Sequence, residues 1–330
     1  MDTNQSTVKN GLGSKTISLN NSSLSRYAKE YGIYGTLALL LIVCSIASPV
    51  FFSENNMLNI LRQVSINGIL AVGMTFVMIG GGFDLSVGST LSFAGVVVIG
   101  LQNVLPVWAA VLVALGVGVG AGLMNGTIMA VINGDNGDAF MITFGTQSFL
   151  AAMALLYTGG VTLRGSSSSG FNYIGKGFVG PLPMPVFMFI IIAIIAQFVL
   201  AKTRFGRNVY ALGGNYEASR LSGVNVKFIK AATYVIAGSG AALAAMIINA
   251  RTMGGSPVQG VGYEFDAITA VIIGGTSLTG GEGSVLKTVV GVLILGIISN
   301  IMNLLGFSVH DQYIVKGIIV IIAVFLDRKK

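Results

Sequence analysis

From Leu85 to Gly134 the chain carries no charged side chain. Wound as one α-helix at 1.5 Å per residue, this run would be about 75 Å long, more than twice the ~30 Å hydrocarbon core of a bilayer. A soluble domain spreads charge over every surface element, at roughly a quarter of its residues. Here 9% of 330 residues are charged, 53% are hydrophobic, and the mean hydropathy is +0.82. A water-facing surface cannot be assembled from that composition, so lipid is the solvent for most of the chain. The sequence predicts an all-α, polytopic integral membrane protein.

Uncharged runs mark the crossings: 31–53, 63–83, two helices within 85–134 divided near Gln102, Asn103 and Pro106, then 139–163, 177–201, 231–250, 267–281, 288–309 and 311–326. That makes about ten transmembrane helices. The third and eighth are interrupted by Gly and polar residues and read as broken. Residues 1–30 are polar and lack the apolar core of a secretory signal, which predicts a disordered cytoplasmic tail. Residues 31–330 then form a single transmembrane domain, with 202–230 as its longest polar loop.

The net charge of +7 reports topology rather than nucleic-acid binding. An even number of crossings puts both ends on one side. That side would hold Lys9, Lys15, Arg26, Lys29, Lys202, Arg204, Arg207, Arg220, Lys227, Lys230, Lys287, Arg328, Lys329 and Lys330; the other would hold Arg62, Arg164, Lys176 and Arg251. The positive-inside rule makes both termini cytoplasmic.

Chemistry-bearing motifs are sparse. One cysteine (Cys44) and one histidine (His310) supply too few soft ligands for a metal site. Gly170–Gly177 has the spacing of a phosphate-binding loop but lacks the Ser or Thr that ligates Mg²⁺ and follows no apolar strand. No ATPase or other catalytic constellation is expected, nor any cofactor bound by the chain itself. Gly116, Gly118, Gly120, Gly122 and Gly126 form overlapping small-xxx-small spacings, which predict close helix packing in lipid. Glycine clusters at Gly80–Gly82, Gly274–Gly275 and Gly280–Gly281 predict broken helices, tolerated at depth only inside protein or beside a water-filled cavity. A repeat, GG-x-x-L-S/T, spans Gly81–Ser86 and Gly274–Thr279.

Within 202–230, Asn215 is a good N-cap, Glu217 suits the positive end of a helix and Gly223 suits a C′ stop. They outline a helix of about two turns over 216–222, too short to persist alone in water. Its stretch Glu217-Ala218-Ser219-Arg220-Leu221-Ser222-Gly223 resembles the EAA-x-x-x-G loop of permeases in bacterial ATP-binding cassette importers. Longer blocks strengthen the likeness: Gly73–Ser89, Gly206–Val226, Tyr263–Ser284 and Gln312–Asp327 resemble the ribose/xylose/galactoside-type permease family, in the right order from about residue 33 to the C-terminus. One departure is visible. Such permeases usually carry Pro-Pro-Phe before Thr-Leu-Gly-Thr, where this chain has Asp138-Ala139-Phe140-Met141-Ile142-Thr143-Phe144-Gly145-Thr146.

The resemblance implies a multi-pass subunit of the bacterial cytoplasmic (inner) membrane. It implies a homodimer forming the pathway, a cytoplasmic ATPase docked on the 216–223 helix, and an extracytoplasmic sugar-binding protein delivering substrate. ATP and Mg²⁺ would be handled by the ATPase. On this reading Glu217, Ala218, Ser219, Arg220 and Gly223 shape the coupling helix, and ATP-driven alternating access moves the cargo. A neutral sugar needs hydrogen-bonding groups without strong charge. Thr75, Asp84, Ser86, Asn125, Thr143, Gln147, Asn300 and Asn303 are the pathway candidates, although interhelical hydrogen bonding accounts for each of the neutral side chains equally well. Asp84, Glu264 and Asp266 also suit helix capping, and Lys316 suits snorkelling to an interface. Nucleosides or branched-chain amino acids are alternative cargoes, and a stand-alone secondary transporter is the competing class.

Overall fold

A computed structural model describes residues 21–165 and 169–327. Thirteen α-helices account for most of them. They are α1 Asn21–Ala47, α2 Glu54–Ile79, α3 Val87–Leu101, α4 Val107–Ile132, α5 Asn136–Thr158, α6 Ser169–Lys176, α7 Met184–Lys202, α8 Arg204–Gly214, α9 Tyr216–Leu221, α10 Val226–Thr252, α11 Tyr263–Ile273, α12 Val285–Leu304 and α13 Val309–Asp327. Four two-residue strands pair as β1 (Leu163–Arg164) with β4 (Gly254–Gly255) and β2 (Phe178–Val179) with β3 (Leu182–Pro183), both antiparallel.

Every uncharged run of the sequence carries a helix, and among the described residues six are long and apolar enough to cross a bilayer: α2, α4, α5, α7, α10 and α12. α3 has 15 residues and α11 has 11, both short of the roughly 20 that a full span needs. The two interrupted segments of the sequence are thus the two short helices. Of the tail expected over 1–30, residues 1–20 lie outside the described residues, whereas Asn21–Glu30 belong to α1. The long polar loop also shrinks. α7 runs to Lys202 and α10 starts at Val226, and the interval holds two helices, α8 and α9, where only the second was expected.

α2, α12 and α10 form the buried centre, with α4, α5 and α7 turned more toward the surroundings. Glycine sets how closely α4 and α10 meet. A Cβ on Gly118 would sit 2.3 Å from the Gly238 carbonyl oxygen, one on Gly122 2.4 Å from that of Tyr234, and one on Gly126 2.7 Å from the Ala231 Cα. Gly116 and Gly120 face open space. The i, i+4, i+8 face at 118, 122 and 126 therefore carries the contact, and it is an internal one.

Residues 170–177 form most of the short helix α6, with Phe171 fully buried, rather than a phosphate-binding turn. Arg62 lies over the nearby Phe178 ring at 5.3 Å.

Candidate functional site

Two helix breaks organise the interior. α2 is capped by Gly80 and α11 by Gly274, and they stop in the same way. Gly81 and Gly275 take φ of 77° and 80°, positions that favour a residue without Cβ. The N–H groups of Gly82 and Thr276 then reach back to the Val77 and Val271 carbonyls at 3.1 and 3.2 Å, completing a Schellman closure. The structural repeat therefore matches Gly80–Gly81 with Gly274–Gly275. It is shifted one residue from the Gly81–Ser86 and Gly274–Thr279 register of the sequence. Three consecutive glycines allow two alignments, and only the helix hydrogen bonds select one.

The breaks touch each other and the end of α8. The Gly281 N–H donates to the Ile79 carbonyl at 2.8 Å. A Cβ on Gly280 would lie 2.8 Å from the Gly81 Cα, and one on Gly213 would lie 1.8 Å from the Ile79 oxygen. Backbone packs on backbone at this junction. Tyr210 of α8 donates its hydroxyl to the Gly283 carbonyl at 2.8 Å, and burial holds its phenol above the ordinary range.

Beyond the first break lies a buried polar cluster. Asp84 Oδ1 accepts from the Ser86 N–H (2.8 Å), the Ser86 hydroxyl (2.6 Å) and Asn125 Nδ2 (3.3 Å). Asn125 Nδ2 also donates to Ser86 Oγ at 2.9 Å, and its Oδ1 accepts from the Thr146 hydroxyl at 2.6 Å. Three pathway candidates thus converge, joined by Thr146, which sequence reasoning missed. Its signal was spacing, because Thr146 sits one turn beyond Thr143 on α5. Thr143 is buried, with its hydroxyl donating to the Ala139 carbonyl at 2.6 Å.

A second cluster surrounds the irregular stretch 256–262. This segment follows α3 inward: Gly255 packs on Gly95 and Ile99, and Gly260 on Gly88. The Gly260 N–H donates to Ser92 Oγ at 2.8 Å. Glu264 Oε1 accepts from the Gly262 N–H (3.3 Å) and from Gln147 Nε2 (3.1 Å). Side chains thereby satisfy backbone groups that the absent helix would have paired, the condition for irregular chain at membrane depth. Asp266, in the same first turn of α11, forms an ion pair with Lys316 of α13 at 2.8 Å, both mostly buried. Lys316 therefore does not snorkel, because a carboxylate lies within direct reach.

The other candidates lie apart from these clusters and join helices. Thr75 and Thr288 meet hydroxyl to hydroxyl at 2.9 Å, tying α2 to α12. Asn300 and Asn56 exchange amide hydrogen bonds at 2.7 and 3.0 Å across the same helix pair. Asn303 accepts from Gln312 Nε2 at 2.8 Å, linking α12 to α13.

α9 is built as its residues dictate. Asn215 Oδ1 accepts from the Ala218 N–H at 2.9 Å. At the other end Gly223 has φ of 80°, and the Val224 N–H reaches the Ser219 carbonyl at 3.1 Å. Ser219 faces inward, whereas Glu217, Ala218, Arg220 and Gly223 are exposed and Leu221 is 78% exposed. Glu217 and Arg220 pair on that outer face at 2.8 Å. The inner side is anchored by Tyr216, whose hydroxyl donates to Asn133 and whose ring faces Lys230 Nζ at 5.6 Å; Lys230 in turn donates to the Gly134 carbonyl. An open cleft of about 360 Å³ lies between these groups and the first break, lined by Gly80, Gly81, Asn133–Asn136, Leu212–Tyr216, Lys230 and Thr279. One cleft thus borders the exposed helix, the α4–α5 corner and both breaks.

Among the described residues no group of three His, Cys, Asp or Glu side chains is placed to hold a metal ion. An apolar bundle, paired broken helices and an exposed capped helix between spans are the build of a membrane permease component. The chain belongs to the family described as branched-chain amino acid transport system / permease component, whose model matches residues 56–324. It is similar to the ribose import permease protein RbsC of Haemophilus influenzae, 39% identical over 312 residues covering 93% of this chain and 96% of that protein. The Bacillus subtilis ribose import permease protein is 41% identical, covering 92% and 94%. The L-arabinose transport system permease protein AraH of Escherichia coli is 38% identical over 311 residues, covering 93% of each. No solved structure matches. The protein is a multi-pass permease subunit of the bacterial cytoplasmic membrane.

Proposed function

We propose that this chain is the membrane subunit of an ATP-driven importer that passes a monosaccharide inward by alternating access. The observation that carries this reading is near full-length similarity, at about 40% identity, to permeases named for ribose and arabinose. The family description names branched-chain amino acids, which keeps that cargo as the second reading. The hydroxyl, amide and carboxylate groups around Asn125 and Gln147 suit the hydrogen bonds of a polyol better than an aliphatic side chain.

In this reading the chain crosses the bilayer ten times, with α3 and α11 as partial crossings completed by irregular chain, and both termini are cytoplasmic. Two copies enclose the pathway. An ATPase subunit, which handles ATP and Mg²⁺, seats on the outer face of α9 through Glu217, Ala218, Arg220 and Gly223. Ser219 holds the helix to its own support. A sugar-binding protein delivers cargo at the opposite face. Displacement of α9 is passed through Tyr216, Asn133 and Lys230 to the α4–α5 corner, then to the breaks beside Asp84, Ser86 and Asn125. Thr143 and Gln147 lie along the same inner face of α5, while Thr75, Asn300 and Asn303 hold α2, α12 and α13 together beside the route.

The test is co-purification of the tagged chain from its native membrane beside Glu217→Arg and Glu217→Gln. A P-loop ATPase should accompany the unaltered chain, weaken at least tenfold with Glu217→Arg, and weaken less with Glu217→Gln. A chain that emerges alone and moves solute in vesicles without ATP overturns the reading in favour of a secondary transporter. An ATPase retained by Glu217→Arg refutes the docking site and leaves the importer standing.

A further inference from the structure

A second cavity, of about 300 Å³, opens between α2, α7 and α10, away from both polar clusters. Ile69, Val72, Gly73 and Phe76 of α2 face Ile192, Ile195, Ala196 and Val199 of α7, while Val235 to Leu243 of α10 close the third side. Ser239 brings the one hydroxyl among these lining residues. The residues recur at i, i+3, i+4 and i+7 on both α2 and α7, so the groove runs lengthwise along the helices. Gly73 and Gly240 let α2 and α10 meet closely at its floor, since a Cβ on Gly73 would lie 2.9 Å from the Ala237 Cα and one on Gly240 3.2 Å from the Ile69 oxygen. A groove this apolar within helices of membrane-crossing length cannot be water's place.

Cationic side chains cluster at one end of it. Lys202 stands three residues beyond Val199, on the same face of α7, and Arg204 and Arg207 follow on the first turn of α8. All three are exposed, and none has an ion-pair or hydrogen-bonded side-chain partner among the described residues. Phe205, between the arginines, packs its ring 6.4 Å from that of Phe76, so the cationic cluster and the groove share a wall. An apolar slot of helical length that ends in unpaired cations is complementary to one kind of molecule: an acyl chain with a phosphate at its head.

The geometry points to a binding site for an anionic glycerophospholipid, with one acyl chain lying between α2, α7 and α10 and its phosphate held by Lys202, Arg204 and Arg207. Lipid here is a ligand of defined chemistry, beyond its role as solvent. Each Lys or Arg at a membrane surface contributes severalfold to anionic-lipid affinity, so three of them give a selectivity of at least tenfold over a zwitterionic lipid.

The test is native mass spectrometry of the full chain in detergent, titrated with phosphatidylglycerol or phosphatidylcholine of identical acyl chains. At least one phosphatidylglycerol should be retained, with an affinity tenfold or more above phosphatidylcholine. Lys202→Gln/Arg204→Gln/Arg207→Gln changes only exposed side chains and should abolish the selectivity while leaving weak binding of both lipids. Ser239→Phe fills the slot and should lose both lipids, whereas Ser239→Ala should retain them. Equal retention of the two lipids by the unaltered chain overturns the proposal, as does unchanged selectivity in the triple variant. A dimer that dissociates with Ser239→Phe while lipid binding persists assigns the groove to a second copy of the chain and equally refutes the site. Thermal melting run in parallel separates loss of lipid from loss of fold.

Discussion

Asp84 shows how one buried carboxylate fixes several neighbours at once. Its Oδ1 gathers the Ser86 N–H, the Ser86 hydroxyl and the Asn125 amide, and Asn125 passes the constraint to Thr146. Removing the acceptor strands buried donors, which costs about 1–3 kcal/mol for each group left unpaired. Asp84→Ala and Asn125→Ala should each lower the unfolding free energy in detergent by about that amount. Their double mutant should be less damaged than the sum, with a coupling of about 0.5–3 kcal/mol; strict additivity would show that the cluster is not one unit. Lys316 offers a second case. Lys316→Met leaves Asp266 charged and poorly solvated, and should cost about 1.5–3 kcal/mol by the same measurement. Adding Asp266→Asn should recover most of that loss. The charges at 266 and 316 were plain in the sequence, but their pairing was not: it depends on α11 packing against α13, which no local pattern around Tyr263 announces.

At the scale of elements, the glycines of α4 separate a pattern from its use. Five glycines at alternate or fourfold spacing are equivalent in sequence, yet only Gly118, Gly122 and Gly126 meet α10. Gly122→Val would drive side-chain atoms into the Tyr234 carbonyl and should destabilise by at least the 1–3 kcal/mol typical of overpacking. Gly120→Val, two residues away and facing open space, should leave the melting temperature nearly unchanged. A similar loss in both would assign the effect to helix propensity rather than to contact. Helix ends were the most legible elements: Asn215 and Gly223 bound α9 because capping is local chemistry within a few residues. α8 was not legible, since its glycines at 206, 213 and 214 disguise a helix whose partners, Tyr210 to Gly283 and Gly213 to Ile79, are distant in sequence.

For the whole molecule, uncharged runs located every helix of membrane-crossing length among the described residues, because the cost of burying charge in lipid acts on each segment independently. Gly and polar residues marked the third and eighth runs, α3 and α11, as interrupted, but nothing local showed that the chain before α11 folds back along α3, with Gly255 on Gly95 and Gly260 on Gly88. The proposed arrangement across the bilayer carries its own expectation. Replacing buried Cys44 by Ala gives a thiol-free background, in which Ser222→Cys after α9 and Val161→Cys after α5 are exposed reporters. A membrane-impermeant maleimide applied to intact cells should label position 161 and spare 222. Inside-out vesicles should reverse the result, and labelling of both positions from one side would refute the topology.

The junction of Gly80–Gly81, Gly213 and Gly280–Gly281 has a mechanical corollary. Interlocking side chains make most packed interiors bistable, because one surface cannot pass another without rotamer jumps. Here smooth main chain lies against smooth main chain, tied by the bond from Gly281 to Ile79 and, beside it, by that from Tyr210 to Gly283. A shear across such a contact would have no teeth to disengage, as in a bearing. A single methyl group added at Gly213 would act as grit in it.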